Sequence, residues 1–204
     1  MSREFFVLRH GRSRANEQGL IASTMANAGD DFGLTPEGRA QVRERVAQAR
    51  DRLSEPVAVL SSPLLRARET AAIVAEVAGT IAEIDDRLIE RGFGDLEMAL
   101  DDRYESVWEI DRHDPTHRTW NVESVAEVWS RVQSLLDDRH ADASAGTLIL
   151  VTHGDVASTL ICGSSGAPLS RHREVGGLAT GQMRALDWPP ASHPPRSEEH
   201  TSEL

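Results

Sequence analysis

The sequence predicts an α/β protein, a three-layer α/β/α sandwich around a central, mostly parallel sheet. Two observations carry that reading. Short continuous apolar runs, Phe5-Phe6-Val7-Leu8, Val57-Ala58-Val59-Leu60 and Thr147-Leu148-Ile149-Leu150-Val151, read as strands buried on both faces. Stretches with helical apolar spacing lie between them, which is the alternation of a doubly covered sheet. At 204 residues the chain is long enough to bury a sizeable core without staples, and residues 1–186 are read as one domain.

The first strand runs into Arg9-His10-Gly11, a turn carrying a guanidinium and an imidazole at a carboxyl end, where open α/β sheets bind ligands. Residues 17–33 have weak periodicity and read as an irregular arm bordering a site. Thr35 as N-cap and Pro36 in the first turn start a helix whose apolar face is Val42, Val46, Ala49 and Leu53. The second strand breaks at Ser61-Ser62-Pro63. A helix follows to about Ala78, with Ser62 as its expected cap and Arg66 in its first turn. A guanidinium beside a helix N-terminus is useful mainly when an anion arrives between them. Thr80 to Ile84 reads as a third strand, residues 85–94 as a loop holding Glu90, and Met98 to Ile110 as weakly helical. Val122 to about Arg139 reads as a helix with Glu123 in its first turn, where the dipole favours an acid. The next strand ends in Thr152-His153-Gly154. A short helix to Cys162 and a closing strand or hairpin within Val175 to Leu186 complete the domain, and residues 187–204 are expected to be a disordered tail.

Composition removes several functions. The net charge of -11 argues against nucleic acid or anionic membrane as a partner. All 22 basic residues are arginine, so lysine-based phosphate binding, Schiff bases and a lysine general base are excluded, and a phosphate grip falls to arginine, histidine and backbone amides. One cysteine, no charged and apolar leader and no bilayer-length apolar stretch lead us to expect a cytoplasmic protein. Cys162 reads as a small buried hydrophobe. His113 and His117 have a spacing that could suggest metal, but Pro115 breaks the helix that would align them; no metal or cofactor is expected.

If both His-Gly strands are central and parallel, His10 and His153 face each other across a crevice, with Arg9 and Arg66 completing a pocket for a tetrahedral dianion. The sequence here resembles the histidine phosphatase superfamily, the phosphoglycerate mutase-like fold. The matching pieces, in the family's order over roughly residues 5 to 180, are Leu8-Arg9-His10-Gly11 with Ser13 and Asn16; Leu34-Thr35 with Gly38-Arg39; Ser61-Ser62-Pro63-Leu64 with Arg66, Ala67 and Thr70-Ala71; Leu88 and Glu90 with Phe93-Gly94; Glu123-Ser124 with Val128 and Arg131; and Val151-Thr152-His153-Gly154.

The resemblance implies His10 as the nucleophile that becomes a phosphohistidine, Arg9, Arg66 and His153 as the clamp on the nonbridging oxygens, Asn16 as an amide donor to the same group, and Glu90 as general acid and then base. Gly11, Ser13, Arg12 and Gly154 are its further substrate-binding positions, with Gly11 leaving room for the ligand near the backbone. A glutamate of the Glu123-Ser124 type supports the pocket in many relatives, and Glu97 is another nearby carboxylate. Three departures stand out. Asp155 follows the second His-Gly, read as a helix-cap or first-turn residue in preference to a substrate contact. Arg12 and Arg14 either meet a second anionic group or face water. Val175-Gly176-Gly177 replaces an Asn-x-Ser type stretch. The function implied is phosphomonoester hydrolysis of a small phosphorylated metabolite without a cofactor, of the histidine acid phosphatase type. The alternatives are a phosphoglycerate mutase-type isomerase and, behind it, a protein phosphatase or a noncatalytic phospholigand-binding protein. Arginines after Glu90 are scattered among acids, which favours hydrolysis. Phe32, Phe93, Tyr104, Trp108 and Trp120 either wall the leaving group or pack the excursion. The partner implied is the small substrate, with a homodimer left open.

Overall fold

The computed structural model describes residues 3–141 and 145–189. Its sheet has five strands: β1 (Arg3–Arg9), β2 (Val57–Ser61), β3 (Ala82–Ile84), β4 (Gly146–Thr152) and β5 (Met183–Leu186). Their order is β3-β2-β4-β1-β5, with β5 antiparallel to β1 and the other pairings parallel. The principal helices are α1 (Arg14–Gln18), α2 (Met25–Ala28), α3 (Pro36–Ala49), α4 (Leu65–Ala78), α5 (Tyr104–Asp111), α6 (Val125–Ala141), α7 (Gly154–Ser164) and α8 (His172–Val175).

The central strand β4 is buried along its whole length because both faces of the sheet are covered there. Along β4, Leu148 and Leu150 point to a core shared with α6 and α7, whereas Ile149 and Val151 point to one shared with α3 and α4. β1 divides the same way, Phe5 and Val7 against Phe6 and Leu8. A smaller cluster of Ile21, Phe93, Leu96, Val107 and Val122 packs the excursion after Glu90 over the carboxyl edge.

Several elements begin elsewhere than expected. Thr35 caps α3 by accepting from Gly38 N at 2.9 Å, as the sequence predicts. The next helix starts later, at Leu65 with Leu64 as a cap residue lacking a side-chain bond, and the Ser62 hydroxyl accepts from Leu64 N at 3.3 Å ahead of the first turn. The third strand shortens to three residues. α6 begins at Val125 behind a reciprocal Ser124–Glu127 capping box, so Glu123 lies before the helix and not in its first turn. Of the expected tail, residues 190–204 lie outside the described residues, and Trp188 is not free of the core: it meets Trp129 with ring centroids 6.0 Å apart.

Candidate active site

Pairing of Arg9 with Thr152 and of Ser61 with Val151 levels the carboxyl ends of β1, β4 and β2. His10, His153 and Ser62 leave the sheet at one height. The two imidazoles stand with centroids 5.1 Å apart at 61°.

The hydrogen-bond network assigns both tautomers. His10 Nδ1 lies 2.8 Å from the Gly11 carbonyl, which only accepts, so Nδ1 carries the proton and Nε2 presents a lone pair. Arg66 Nε donates to that Nε2 at 3.1 Å and to His153 Nδ1 at 3.2 Å. His153 Nε2 therefore carries the proton and donates to Ser62 Oγ at 2.7 Å. Burial, with Arg66 and Arg9 adding positive potential, holds both rings well below the usual imidazole pKa and keeps them neutral.

Around this pair stand two incompletely satisfied cations. Arg66 Nη2 donates to Ala22 O at 2.7 Å and Arg9 Nη1 to Leu178 O at 2.8 Å, whereas Arg66 Nη1 and Arg9 Nε are buried without an acceptor. Buried donors without acceptors are rare, and here they belong to the two arginines whose charges act on the neutral His10 ring. The cradle fits an oxyanion.

Glu90 closes the other side. Its Oε1 accepts from Arg91 N at 2.9 Å and its Oε2 from Gly154 N at 3.1 Å. Burial and then the Asp155 charge push its pKa up. Asp155 moves oppositely: burial opposes ionisation, but Arg173 and Arg91 outweigh it. Two neighbouring carboxyls are thus driven apart, one toward holding a proton and one toward losing it.

A cavity of about 340 Å³ opens above, lined by Arg9, Asn16, Leu20, Glu90, Asp101, Tyr104, Trp108, Gly154, Asp155 and Arg173. A larger one, about 600 Å³, lies near Phe5 and Trp188 at the opposite end of β1 and shares no residue with the first.

The other candidates separate clearly. Asn16 Oδ1 is held by Ser13 N at 3.1 Å, and the residue lines the cavity. Ser13 is buried as the cap of α1, and Arg12 is exposed and outside the lining. The space expected for a ligand at Gly11 is filled by α3, since a Cβ there would stand 2.6 Å from Gly38 O and 2.7 Å from Val42 Cγ2. Glu97 binds Ser23 N at 3.1 Å, and Glu123 binds Arg131 at 2.8 and 3.0 Å and Gly92 N at 3.1 Å; neither lines the cavity. Asp155 lies in the first turn of α7, but its carboxylate is no cap: it pairs with Arg91 at 3.3 Å and Arg173 at 3.2 Å and accepts from Trp108 Nε1 at 3.1 Å. Among the aromatics, Tyr104 and Trp108 line the cavity, while Phe32, Phe93 and Trp120 pack. Among the described residues no cluster of metal-ligating side chains forms, and His117 instead meets Asp111 at 2.9 Å. Cys162 is buried, and burial pushes its thiol pKa up.

Sequence reasoning gives no role to Arg91 or Arg173. Arg91 is wholly buried, forks onto Asp111 at 2.7 and 2.9 Å and reaches Asp155. Arg173 stacks on Trp108 with its guanidinium carbon 3.8 Å from the ring centroid. Their partners lie on other segments, so no local spacing announces them.

Fold and site together define an α/β protein with a two-histidine, two-arginine oxyanion cradle at the carboxyl edge of a mainly parallel sheet. The chain belongs to the histidine phosphatase superfamily (branch 1), whose family model matches residues 5–193. Among solved structures it is similar to a mycobacterial glucosyl-3-phosphoglycerate phosphatase complexed with VO3, at 24% identity over 90% of this chain and 92% of that one, with a TM-score of 0.75. It is also similar to an Escherichia coli K-12 protein provisionally named an alpha-ribazole-5'-P phosphatase, at 24% identity over 90% of both chains and a TM-score of 0.71. A third structure, TTHB049 of Thermus thermophilus, is 27% identical over 92% of this chain and 95% of that one, with a TM-score of 0.65. No curated protein matches the sequence. No helix among the described residues is long and apolar enough to cross a membrane.

Proposed function

We propose that this chain is a phosphomonoester hydrolase acting on small phosphorylated metabolites through a phosphohistidine on His10. The observation that carries the reading is the pair of buried N–H groups without acceptors, Arg9 Nε and Arg66 Nη1, on the two arginines beside a neutral His10 whose Nε2 accepts from Arg66 Nε. The solved mycobacterial neighbour is named a phosphatase and was complexed with VO3, which agrees with an oxyanion in this cradle.

The phosphoryl oxygens take the free donors of Arg9 and Arg66 and the amide of Asn16. A bound dianion offsets the positive potential that, with burial, keeps His153 neutral, so its Nδ1 takes a proton from solvent, which it gives back when phosphate leaves, and donates to a phosphoryl oxygen. His10 Nε2 forms a bond to phosphorus as the bond to the leaving oxygen breaks, and that oxygen takes the Glu90 proton. After the alcohol departs, the Glu90 carboxylate takes a proton from water, whose oxygen attacks phosphorus. The P–N bond breaks, inorganic phosphate forms, and His10 and Glu90 return to their starting states.

Two variants test the assignment. Glu90→Gln is expected to lose at least about a hundredfold in kcat on an alkyl phosphate and far less on p-nitrophenyl phosphate, whose leaving group needs no proton. Quenched wild-type enzyme should carry an acid-labile phosphoryl group by mass spectrometry, and His10→Ala should not. Persistence of that group in the variant, or interconversion of 2- and 3-phosphoglycerate without phosphate release, would overturn the reading.

A further inference from the structure

We propose that the cavity mouth selects phosphomonoesters whose alcohol is uncharged and hydroxyl-bearing, and rejects those whose alcohol carries a carboxylate. This rests on the hydrolase reading above and names its substrate class.

The first ground is the distribution of charge above the cradle. Arg9 and Arg66 face the phosphoryl group. The remaining cation of the lining, Arg173, has its charge offset by Asp155: its Nη1 pairs with that carboxylate at 3.2 Å and donates to Ser158 Oγ at 3.0 Å, and its guanidinium covers Trp108. Against it stand two carboxylates beyond Glu90, those of Asp155 and Asp101. Among the residues lining the mouth, carboxylates therefore outnumber arginines beyond the cradle, and Asp155 already offsets the charge of Arg173.

The second ground is that Asp101 is held in place yet unpartnered. Its segment pairs with the arm after α1: Met98 N donates to Ile21 O at 2.7 Å, Ile21 N to Ala99 O at 2.9 Å and Asp101 N to Gly19 O at 2.8 Å. These bonds fix the Asp101 backbone at the rim beside Leu20, while its carboxylate takes part in no hydrogen bond or ion pair among the described residues. Across the mouth the Tyr104 hydroxyl is likewise uncommitted, and Asn16 has its Oδ1 tied to Ser13 and its amine open. A carboxylate acceptor, a phenol and an amide amine suit hydroxyl groups. The same carboxylate repels another.

The third ground concerns the aromatic wall. Trp108 stacks with Tyr104 at 5.3 Å and 4° and carries the Arg173 guanidinium. Its stacking partners come from the protein, so it is a wall and not a platform for a planar leaving group.

The test compares glycerol 3-phosphate with 3-phosphoglycerate, which differ by a hydroxymethyl group against a carboxylate. We expect kcat/KM for glycerol 3-phosphate to exceed that for 3-phosphoglycerate by at least about tenfold at low ionic strength, since like charges set face to face are strongly disfavoured. The ratio should shrink as salt screens the rim. Asp101→Asn, a change at an exposed position, should shrink it at least about threefold by raising the value for 3-phosphoglycerate. If p-nitrophenyl phosphate alone is turned over, the two esters are compared as competitive inhibitors, with the same order expected. Equal use of both esters, preference for 3-phosphoglycerate, or a ratio untouched by Asp101→Asn would overturn the inference while phosphatase activity stands. Failure to release phosphate even from p-nitrophenyl phosphate would overturn the hydrolase reading, and this inference with it.

Discussion

Glu90 and Asp155 are two buried carboxyls in one cavity, and their surroundings assign them opposite states. Glu90 has two backbone amides and no salt-bridge partner among the described residues, whereas Asp155 has two arginines and an indole N–H. Burial and Asp155 both favour the proton on Glu90. Replacing Asp155 by Asn removes one of these causes and leaves Arg91 and Arg173 less compensated, and both changes favour the Glu90 carboxylate. The descending, high-pH limb of kcat reports loss of the acid's proton. In Asp155→Asn that limb is expected to move to lower pH, because a like charge beside the acid is removed. A pH profile with an alkyl phosphate checks it. An unmoved limb with lowered kcat would reduce Asp155 to an anchor for Arg91 and Arg173.

At the scale of elements, the loop after β1 is shaped by α3 as much as by the ligand. Gly11 and Gly38 let loop and helix approach until a Cβ at Gly38 would stand 2.1 Å from Arg12 O. Gly11→Ala is therefore expected to cost about 1–3 kcal/mol, the usual range for overpacking a filled site, read as a lower urea midpoint. Unchanged stability with a raised KM would return Gly11 to the ligand. This loop also shows where sequence stops informing. Strand ends, the Thr35 cap and the two His-Gly turns follow from local pattern, and each is visible in residues next to one another. Ser62 reads as a cap because nothing local reveals that His153, on another strand, claims its hydroxyl. Glu123 fits a first-turn acid equally well by position, and its Arg131 and Gly92 partners are nonlocal. The Arg91–Asp155–Arg173 network spans segments far apart in the chain and has no periodicity to read.

For the molecule as a whole, the parallel order of β2, β4 and β1 gathers the loops after three strands onto one edge, and with them buried groups that oppose one another without a ligand. Arg9 and Arg66 are both desolvated, a neighbouring arginine lowers the proton affinity of each, Arg173 that of Arg9 and Arg9 that of Arg66, and each leaves a donor unused. An oxyanion supplies the missing acceptors and charge at once, so it binds the folded chain and not the unfolded one. By linkage, phosphate at a hundredfold its dissociation constant should add about 2.7 kcal/mol to unfolding. For a chain of this size, each kcal/mol raises the unfolding midpoint by roughly 2–4 °C. We expect inorganic phosphate to raise the thermal midpoint in a saturable way and chloride at matched ionic strength not to. Arg66→Met should remove the shift while still unfolding cooperatively, because the side chain keeps its length within the core side of α4. A shift of equal size in that variant would mean that phosphate stabilises the protein elsewhere, and the cradle at His10 and His153 would lose its claim as the oxyanion site.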